Sequence, residues 1–205
     1  MRKTLVATTI ASVLLLSACS SQQADTQTQV ETAAETQTAN VENVLFKPSP
    51  LQYMAPEFDK ISTKDYEPAF EAGIAQQKAE IAKIANNPEP ATFENTLVAM
   101  EYSGELLDRT SAAFFNLSGL ISDSEYQRIA AKMAPIMSAH TDDIYLNKAL
   151  FARVQSIYDN KASLNAEDQR LVDYYYKKFV NAGAKLTEAE KAKMREINAE
   201  LAKLS

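Results

Sequence analysis

The sequence predicts an all-α protein, and its composition carries that prediction. Among 205 residues there are only four glycines and seven prolines, whereas a β-sandwich or barrel needs frequent turn residues. Hydrophobic residues make up 46% of the chain, enough to bury one core of ordinary size. Apolar side chains recur at helical spacing from about residue 64 onward. We therefore expect a multi-helix body, preceded by segments that serve export.

Residues 1–18 are predicted to be a lipoprotein signal peptide. Two basic residues precede an apolar run, 5–16, that is too short to span a bilayer comfortably. The run ends in Leu-Ser-Ala-Cys, which resembles a bacterial lipobox with cleavage between Ala18 and Cys19. Cys19 would then be acylated and anchor the protein to a membrane, stably if it carries two or more acyl chains. The alternative is an ordinary secretory signal with a chance cysteine.

The residues around Cys19 also bear on location and partners. Ser20 resembles the sorting position of lipoproteins sent to the outer membrane, facing the periplasm, rather than retained at the inner membrane. Cys19 is the only cysteine, so we expect no intramolecular disulfide in the fold. The formal net charge is −6 and becomes more negative when the basic signal peptide is removed, so a nucleic-acid partner is not expected.

Residues 19–45 are predicted to be the acylated cysteine followed by a disordered linker. After the cysteine the segment is rich in Ser, Gln, Thr, Ala and Glu and contains no Gly, Pro or aromatic residue. A flexible coil of this length spans roughly 30 Å. The helical region, 46–205, follows. It opens with "KPSPLQYMAPEFDKI", whose prolines predict an extended segment laid over the helices.

Six helices are predicted in the region after this segment. Their approximate bounds are 64–86, 92–117, 122–145, a short helix after residue 147, 165–182, and a helix from residue 187 onward. Their start signals are capping residues and capping boxes, namely Thr92, Asn147, Asn165, Ser122 with Glu125, and Thr187 with Glu190. Gly119 and Gly183 are expected to end helices. Pro68 is tolerated near a helix start, and Pro135 is expected to cause a kink.

Each predicted helix is expected to bury one apolar face. The inward residues are, helix by helix, Phe70, Ile74, Ile81 and Ile84; Phe93, Leu97, Met100, Leu107, Phe114 and Leu117; Tyr126, Ile129, Met133, Ile136 and Ile144; Leu150, Val154 and Ile157; Leu171 and Phe179; and Met194, Ile197, Leu201 and Leu204. The last helix has a start signal but no Gly, Asn or Pro near its end. That pattern is typical of a chain cut within an element.

The sequence offers no catalytic or metal-binding constellation. A zinc hydrolase needs three or more protein ligands, and this chain has one histidine. His140 with Asp143 one turn later suggests a ligand or a proton relay, but an isolated helical histidine is more often a hydrogen-bonded structural residue. A Ser-His-Asp triad through His140 would lack a nucleophile elbow. No catalytic or metal-ligating residue is therefore assigned.

Acidic clusters and a tyrosine run are the remaining candidates. They are Asp142-Asp143, Glu167-Asp168, Glu196 with Glu200, and Tyr174-Tyr175-Tyr176. The acids lack the Glu-x-x-His pairs of a di-metal bundle, so we expect them to form a solvated face. Three consecutive helical tyrosines point in three directions. They could line a peptide channel, with one or two of them in the core or at a rim.

Several segments occur in an order that resembles a known family. They are "PLQYMAPEFDKI", "YEPAFEAGIAQQKAEIAKIANNP", "TFENTLVAMEYSGELLDRTSAAFF", "DDIYLNKALFARV", "KKFVNAGAKL" and "INAELAKLS". From about Pro48 to Ser205 the chain resembles the N-terminal region of bacterial peptidyl-dipeptidases, also called dipeptidyl carboxypeptidases, within the thimet-oligopeptidase-like zinc metallopeptidases. The segment "DDIYLNKALFARV" leans toward the dipeptidyl carboxypeptidase branch.

The resemblance implies an almost wholly helical enzyme whose two halves enclose a deep channel for short peptides. It also implies zinc held by an H-E-x-x-H helix and a downstream glutamate, and release of dipeptides from the substrate's C-terminus. None of those ligands occurs in this chain. The resemblance therefore implies truncation before the catalytic domain, with this segment forming channel wall and shield and being inactive alone. The alternative is a non-catalytic helical lipoprotein that binds peptides or a partner protein.

Overall fold

A computed structural model describes residues 43–121 and 123–204 as helices joined by short loops. The α-helices are α1 Thr63–Ala85, α2 Ala99–Glu101, α3 Glu105–Ser118, α4 Ser124–Tyr145, α5 Lys148–Asp159, α6 Ala166–Ala182 and α7 Glu188–Leu204. A π-helical turn, Phe93–Val98, runs directly into α2, and short 3-10 turns cover Val44–Phe46, Gln52–Met54 and Lys161–Ser163. The described residues contain no strand, so the all-α prediction is confirmed. The predicted signal peptide and lipidation site, with Ala18 and Cys19, lie outside the described residues.

Helix α1 begins and ends within one residue of its predicted bounds. Its start is fixed by Asp65, whose carboxylate accepts bonds from the backbone N of Ser62 at 2.7 Å and from its hydroxyl at 2.6 Å. Pro68 lies in the sixth position of the helix, beyond the first turn. The four predicted inward residues of this helix are all buried.

The prediction of one continuous second helix was wrong, because the helix is interrupted between α2 and α3. Thr92 does cap the start, with its hydroxyl accepting from the Asn95 backbone N at 3.1 Å. The first turns are π-helical, and Gly104 then takes a left-handed φ of 85° before α3 begins. A side chain at Gly104 would also collide with the Gln77 amide. The break therefore needs glycine for two reasons, its backbone conformation and its close approach to α1.

Helices α1 and α3 approach each other so closely that one position has no room for a side chain. A Cβ added to Gly73 would lie 2.8 Å from both the Cα and the backbone N of Leu107. Gly73 itself is buried. This contact brings the middle of α1 against the start of α3, next to the break at Gly104.

Helix α4 starts two residues later than predicted. Asp123 caps it, accepting from the Glu125 backbone N at 2.7 Å, whereas the predicted cap, Ser122, lies outside the described residues. Pro135 lies inside the helix, which continues past it to Tyr145. Ile136 was expected inward but is 38% exposed. That assignment was wrong.

Helices α5 and α6 follow the predicted capping pattern. Asn147 accepts from the Leu150 backbone N at 3.0 Å, and Asn165 from the Asp168 backbone N at 2.9 Å. Gly183 ends α6 with a left-handed φ of 102°. The three predicted inward residues of α5 and Phe179 of α6 are buried, whereas Leu171 is only partly buried.

Two hydrophobic clusters make up the core. One joins α5 and α6 to the end of α1 and to the segment that contains Leu97 and Met100. The other is aromatic and joins α1, α3 and α4. In it the Tyr66 and Phe114 rings meet edge to face at 5.0 Å, and Phe114 stacks on Tyr126 at 5.5 Å. Helix α1 contributes to both clusters and so connects the two halves of the body.

Helix α7 packs against α4 but leaves most of its apolar stripe open. Thr187 and Glu190 form the predicted capping box, with the Thr187 backbone N donating to Glu190 at 2.8 Å. Ile197, Leu201 and Leu204 were expected inward and are exposed, so those assignments were wrong. Polar contacts instead fix the helix, because the Asn198 amide donates to Asp142 of α4 at 2.7 Å.

The segment before α1 packs against the helices at Leu45 and is exposed around Tyr53. Leu45 is buried, and its carbonyl accepts from Arg109 Nε at 3.1 Å. The packed body therefore includes residues 43–45, which the composition predicts to be linker. Tyr53 and Met54 have left-handed φ values of 60° and 54°, and Tyr53 is 91% exposed. None of the helices in the described part of the chain combines the length and the hydrophobicity of a membrane-spanning segment.

Candidate functional site

The histidine singled out from the sequence is a buried structural residue. His140 is 3% exposed, and its Nε2 lies 2.7 Å from Gln77 Oε1 on α1, while Nδ1 has no hydrogen-bond partner among the residues that the structure describes. Burial, aided by the nearby Lys78 ammonium, lowers the pKa of His140. The imidazole is therefore neutral at pH 7 and joins α4 to α1.

The same contact reaches the break between α2 and α3. Gln77 donates its amide to the Ser103 carbonyl at 3.2 Å, so one side chain connects His140 to that break. One turn along α1, the Glu80 carboxylate accepts from the Gly104 backbone N at 2.8 Å. These contacts use the side chains of Gln77 and Glu80 to position the backbone of the break.

The acidic pair beside His140 is also engaged in structure. Asp143 binds Lys78 at 2.8 Å and Arg195 at 3.0 Å. Burial alone would raise the pKa of Asp143, but the two cations outweigh it and hold that pKa below its usual value. Asp142 was expected on a solvated face and is instead buried against Asn198, because α7 covers this part of α4. That expectation was wrong.

The described residues do not fit a zinc ion. They contain no group of three or more His, Cys, Asp or Glu side chains placed to hold a metal. The imidazole Nε2 of His140 is already bonded to Gln77, and the Asp143 carboxylate to two cations. On α7, Glu196 and Glu200 are exposed and pair with Lys193 and Lys203, as expected of a solvated face.

A groove lies between the π-helical turn with α2 and the first half of α6. Its volume is about 1000 Å³, within the range of ligand pockets. It is lined by Phe93, Val98, Glu101, Tyr102, Ala166, Glu167, Asp168, Arg170, Leu171 and Tyr174. Glu167 and Asp168, the acidic pair at the start of α6, therefore line a groove rather than a flat face. Neither forms an ion pair within the described residues.

The three consecutive tyrosines of α6 point in three directions, as the sequence predicts. Tyr174 is 55% exposed and lines the groove. Tyr175 is buried in the core, and Tyr176 stacks on Tyr158 with ring centroids 3.7 Å apart. Only the first of them can contact a ligand in the groove.

Tyr175 connects the core to the groove through a hydrogen bond. Its hydroxyl donates to Glu101 Oε1 at 2.6 Å. Burial, followed by the nearby Glu101 carboxylate, raises the pKa of Tyr175 well above its usual value, so the phenol stays protonated. Glu101 Oε1 is thereby held in place as the acceptor. The groove has the chemistry of a binding site, with carboxylates, exposed rings and apolar side chains.

Sequence reasoning missed Glu101 and Tyr102 because it placed them within one long helix. The available signal was the glycine at residue 104, which ends α2 and leaves both side chains on the groove. It also missed Arg153, a buried residue of α5. Its guanidinium donates to Asn95 Oδ1 at 2.7 Å and to the carbonyls of Asn87 and Glu89 at 2.9 and 3.0 Å. Arg153 therefore holds the loop that leads into the groove.

Comparisons with known proteins place the chain beside two bacterial peptidases. It is 43% identical over 159 residues to the dipeptidyl carboxypeptidase of Escherichia coli (strain K12), covering 77% of this chain and 23% of that protein. It is 42% identical over 164 residues to the dipeptidyl carboxypeptidase of Salmonella typhimurium (strain LT2), covering 79% of this chain and 24% of that protein. No protein-family model matches the chain. It thus spans about a quarter of the length of the curated relatives it matches, and across that quarter it is similar to these two dipeptidyl carboxypeptidases.

Proposed function

We propose that this helical region works within a zinc-dependent peptidase that releases dipeptides from the C-termini of short peptides. The observation that carries the proposal is the 42% to 43% identity to dipeptidyl carboxypeptidases over more than three quarters of the chain. Within such an enzyme the region forms part of the wall and shield of the substrate channel. It positions peptides and excludes folded proteins, while the chemistry occurs elsewhere.

Two features of the described residues support a wall rather than a catalytic centre. Buried polar side chains such as His140 and Asp142 are used to join helices to one another. In addition, Ile136 on α4 and Ile197 and Leu201 on α7 are exposed, and exposed apolar side chains favour contact with further polypeptide. Because the described residues do not fit zinc, the zinc ligands in this proposal belong to a part of the peptidase outside these helices.

The proposal includes export as a lipoprotein. Cys19 would carry the acyl chains, and the linker after it would hold the helical body away from the outer membrane, on its periplasmic side. Metabolic labelling with a fatty acid tests this step. We expect label on the parent protein and none on a Cys19→Ala variant. Label on the variant, or none on the parent, would reject the lipid anchor.

The catalytic part of the proposal is tested on the protein encoded by the complete gene. We expect an in-frame H-E-x-x-H motif and a later glutamate beyond residue 205, and chelator-sensitive release of a dipeptide from an N-acetylated tetrapeptide. The 205-residue chain alone should release none. A complete gene product without such activity, or chelator-sensitive dipeptide release by the 205-residue chain itself, would overturn the proposed role.

The groove favours a second candidate function, a non-catalytic helical lipoprotein that binds peptides or a partner protein. Its 1000 Å³ volume and exposed rings suit ligand binding without chemistry. This candidate predicts that the chain folds cooperatively as a monomer and that its gene ends without a zinc motif. The peptidase proposal predicts instead that the gene encodes a zinc motif, so the gene sequence distinguishes the two candidate functions.

A further inference from the structure

The groove between α2 and α6 carries negative charge that the described residues do not neutralise. Glu101 lies on one wall and Glu167 and Asp168 on the other, whereas Arg170 is the one cation among the lining residues. Glu101 accepts from a neutral hydroxyl, and Asp168 accepts from the neutral Asn165 amide at 2.8 Å. Neither bond cancels a charge. A ligand that brings a positive charge would therefore be complementary to the groove.

One of these carboxylates is held in position before any ligand arrives. Glu101 Oε1 is fixed by the hydroxyl of Tyr175, a buried residue of α6. A side chain already restrained in this way loses little conformational freedom when it binds a cation. Its second oxygen has no hydrogen-bond donor among the described residues and remains available.

The rest of the groove suits the stem of a long cationic side chain. Phe93, Val98 and Leu171 supply apolar surface, on which the methylene groups of lysine or arginine can pack while the charged end reaches the carboxylates. Tyr102 is 82% exposed and has no cation of the described residues over its ring. Lys178 Nζ already lies 5.5 Å from the centroid of the Tyr174 ring. The ring of Tyr102 is therefore the one available to a cation of the ligand.

We infer that the groove binds an extended peptide through a lysine or arginine side chain, with the cation held by the carboxylates of the two walls and the stem packed on the apolar floor. This inference deepens the proposed function and rests on it for the expectation that the ligand is a peptide. Within a peptidase the groove would select peptides that carry a basic residue at a distance from the cleaved bond.

Fluorescence anisotropy with defined peptides tests the inference. The probe is a C-terminally labelled, N-acetylated peptide, Ala-Ala-Phe-Lys-Leu-Ala-Ala, and its twin has norleucine in place of lysine. A third probe has norleucine and an unacetylated N-terminus, so its positive charge is on the terminal amine rather than on a side chain. We expect the lysine probe to bind about fivefold more tightly than either of the others, which is the upper end of what one partly exposed ion pair contributes. Rising salt should weaken it.

Variants of the full chain locate the site. Glu101→Gln keeps an acceptor for Tyr175, and Glu167→Gln changes a side chain with no hydrogen bond in the described residues. Each substitution should weaken binding of the lysine probe about fivefold and leave binding of the norleucine probe unchanged. Glu94→Gln is the matched control, because it removes the same charge from the same segment but does not line the groove. It should bind like the parent.

Three results would overturn the inference. They are equal binding of the lysine and norleucine probes, unchanged binding by both groove variants, and a loss in Glu94→Gln as large as in the groove variants. Tightest binding of the free-amine probe would overturn it as well, since the cation would then come from the peptide's N-terminus. The assay uses no catalysis, so these outcomes are independent of whether the complete protein releases dipeptides.

Discussion

Replacing Gly73 with alanine tests how the body is assembled. The new Cβ would lie 2.8 Å from the Cα and backbone N of Leu107, and backbone atoms of a neighbouring helix cannot rotate away. The two helices must therefore separate, and overpacking of this kind costs about 1–3 kcal/mol, here toward the upper end. Alanine regains up to about 1 kcal/mol through its higher helix propensity. We expect a net loss of about 2 kcal/mol.

Thermal unfolding followed by circular dichroism measures this loss. For a body of this size, about 2 kcal/mol corresponds to a fall in Tm of roughly 4–8 °C. Gly119→Ala is the matched control, since the nearest atom to its new Cβ is the Phe115 carbonyl oxygen at 3.5 Å, an ordinary contact. The control should be neutral or slightly stabilising. If Gly73→Ala melts with the parent, or if both variants lose the same stability, the close packing of α1 on α3 is wrong.

Three further predictions concern stability and association. Arg153→Met should lower the free energy of unfolding by about 2–4 kcal/mol in urea titrations, because it leaves the buried Thr96 hydroxyl and three partly buried acceptors without this donor. Because the pKa of His140 is lowered in the folded state, the unfolded state binds more protons below about pH 6.5. The urea concentration at the unfolding midpoint should therefore decrease when the pH is lowered from 7.5 to 5. The decrease should be smaller in His140→Gln. Ile197→Gln with Leu201→Gln should reduce concentration-dependent self-association of the chain in sedimentation experiments.

Matched variants make these three results decisive. Arg170→Met removes an exposed guanidinium without a hydrogen bond in the described residues and should change stability by less than about 0.5 kcal/mol. A midpoint equally pH-dependent in His140→Gln would assign the effect to other groups. Leu120→Gln removes an exposed leucine outside α7, and an equal effect on association would mean that the α7 stripe has no special part in it.

Elements whose signals are local were predictable from the sequence. The caps at Thr92, Asn147 and Asn165 and the left-handed Gly183 depend on residues within one turn of each helix end, and each one is found. Helical periodicity likewise identified the buried faces of α1 and α5, because it depends on one helix at a time.

Features that need two helices at once could not be predicted in the same way. The break at Gly104 depends on Gln77 of α1, and the burial of Asp142 depends on Asn198 of α7. The exposed stripe on α7 has the periodicity of a buried face, but nothing in the described residues covers it. The groove was missed for the same reason, since its two walls are about 70 residues apart in sequence.

The π-helical turn at Phe93–Val98 has a consequence for how such a groove can change during evolution. A turn of this kind holds one residue more than an α-helical turn, so deleting a single residue would restore regular winding. Every later side chain up to the break at Gly104 would then rotate by about 100° around the helix axis. Glu101 and Tyr102 would turn away from α6, while the caps on either side stayed intact. The buried Met100 would rotate with them, so such a deletion would change the lining of the groove and the packing of the core together.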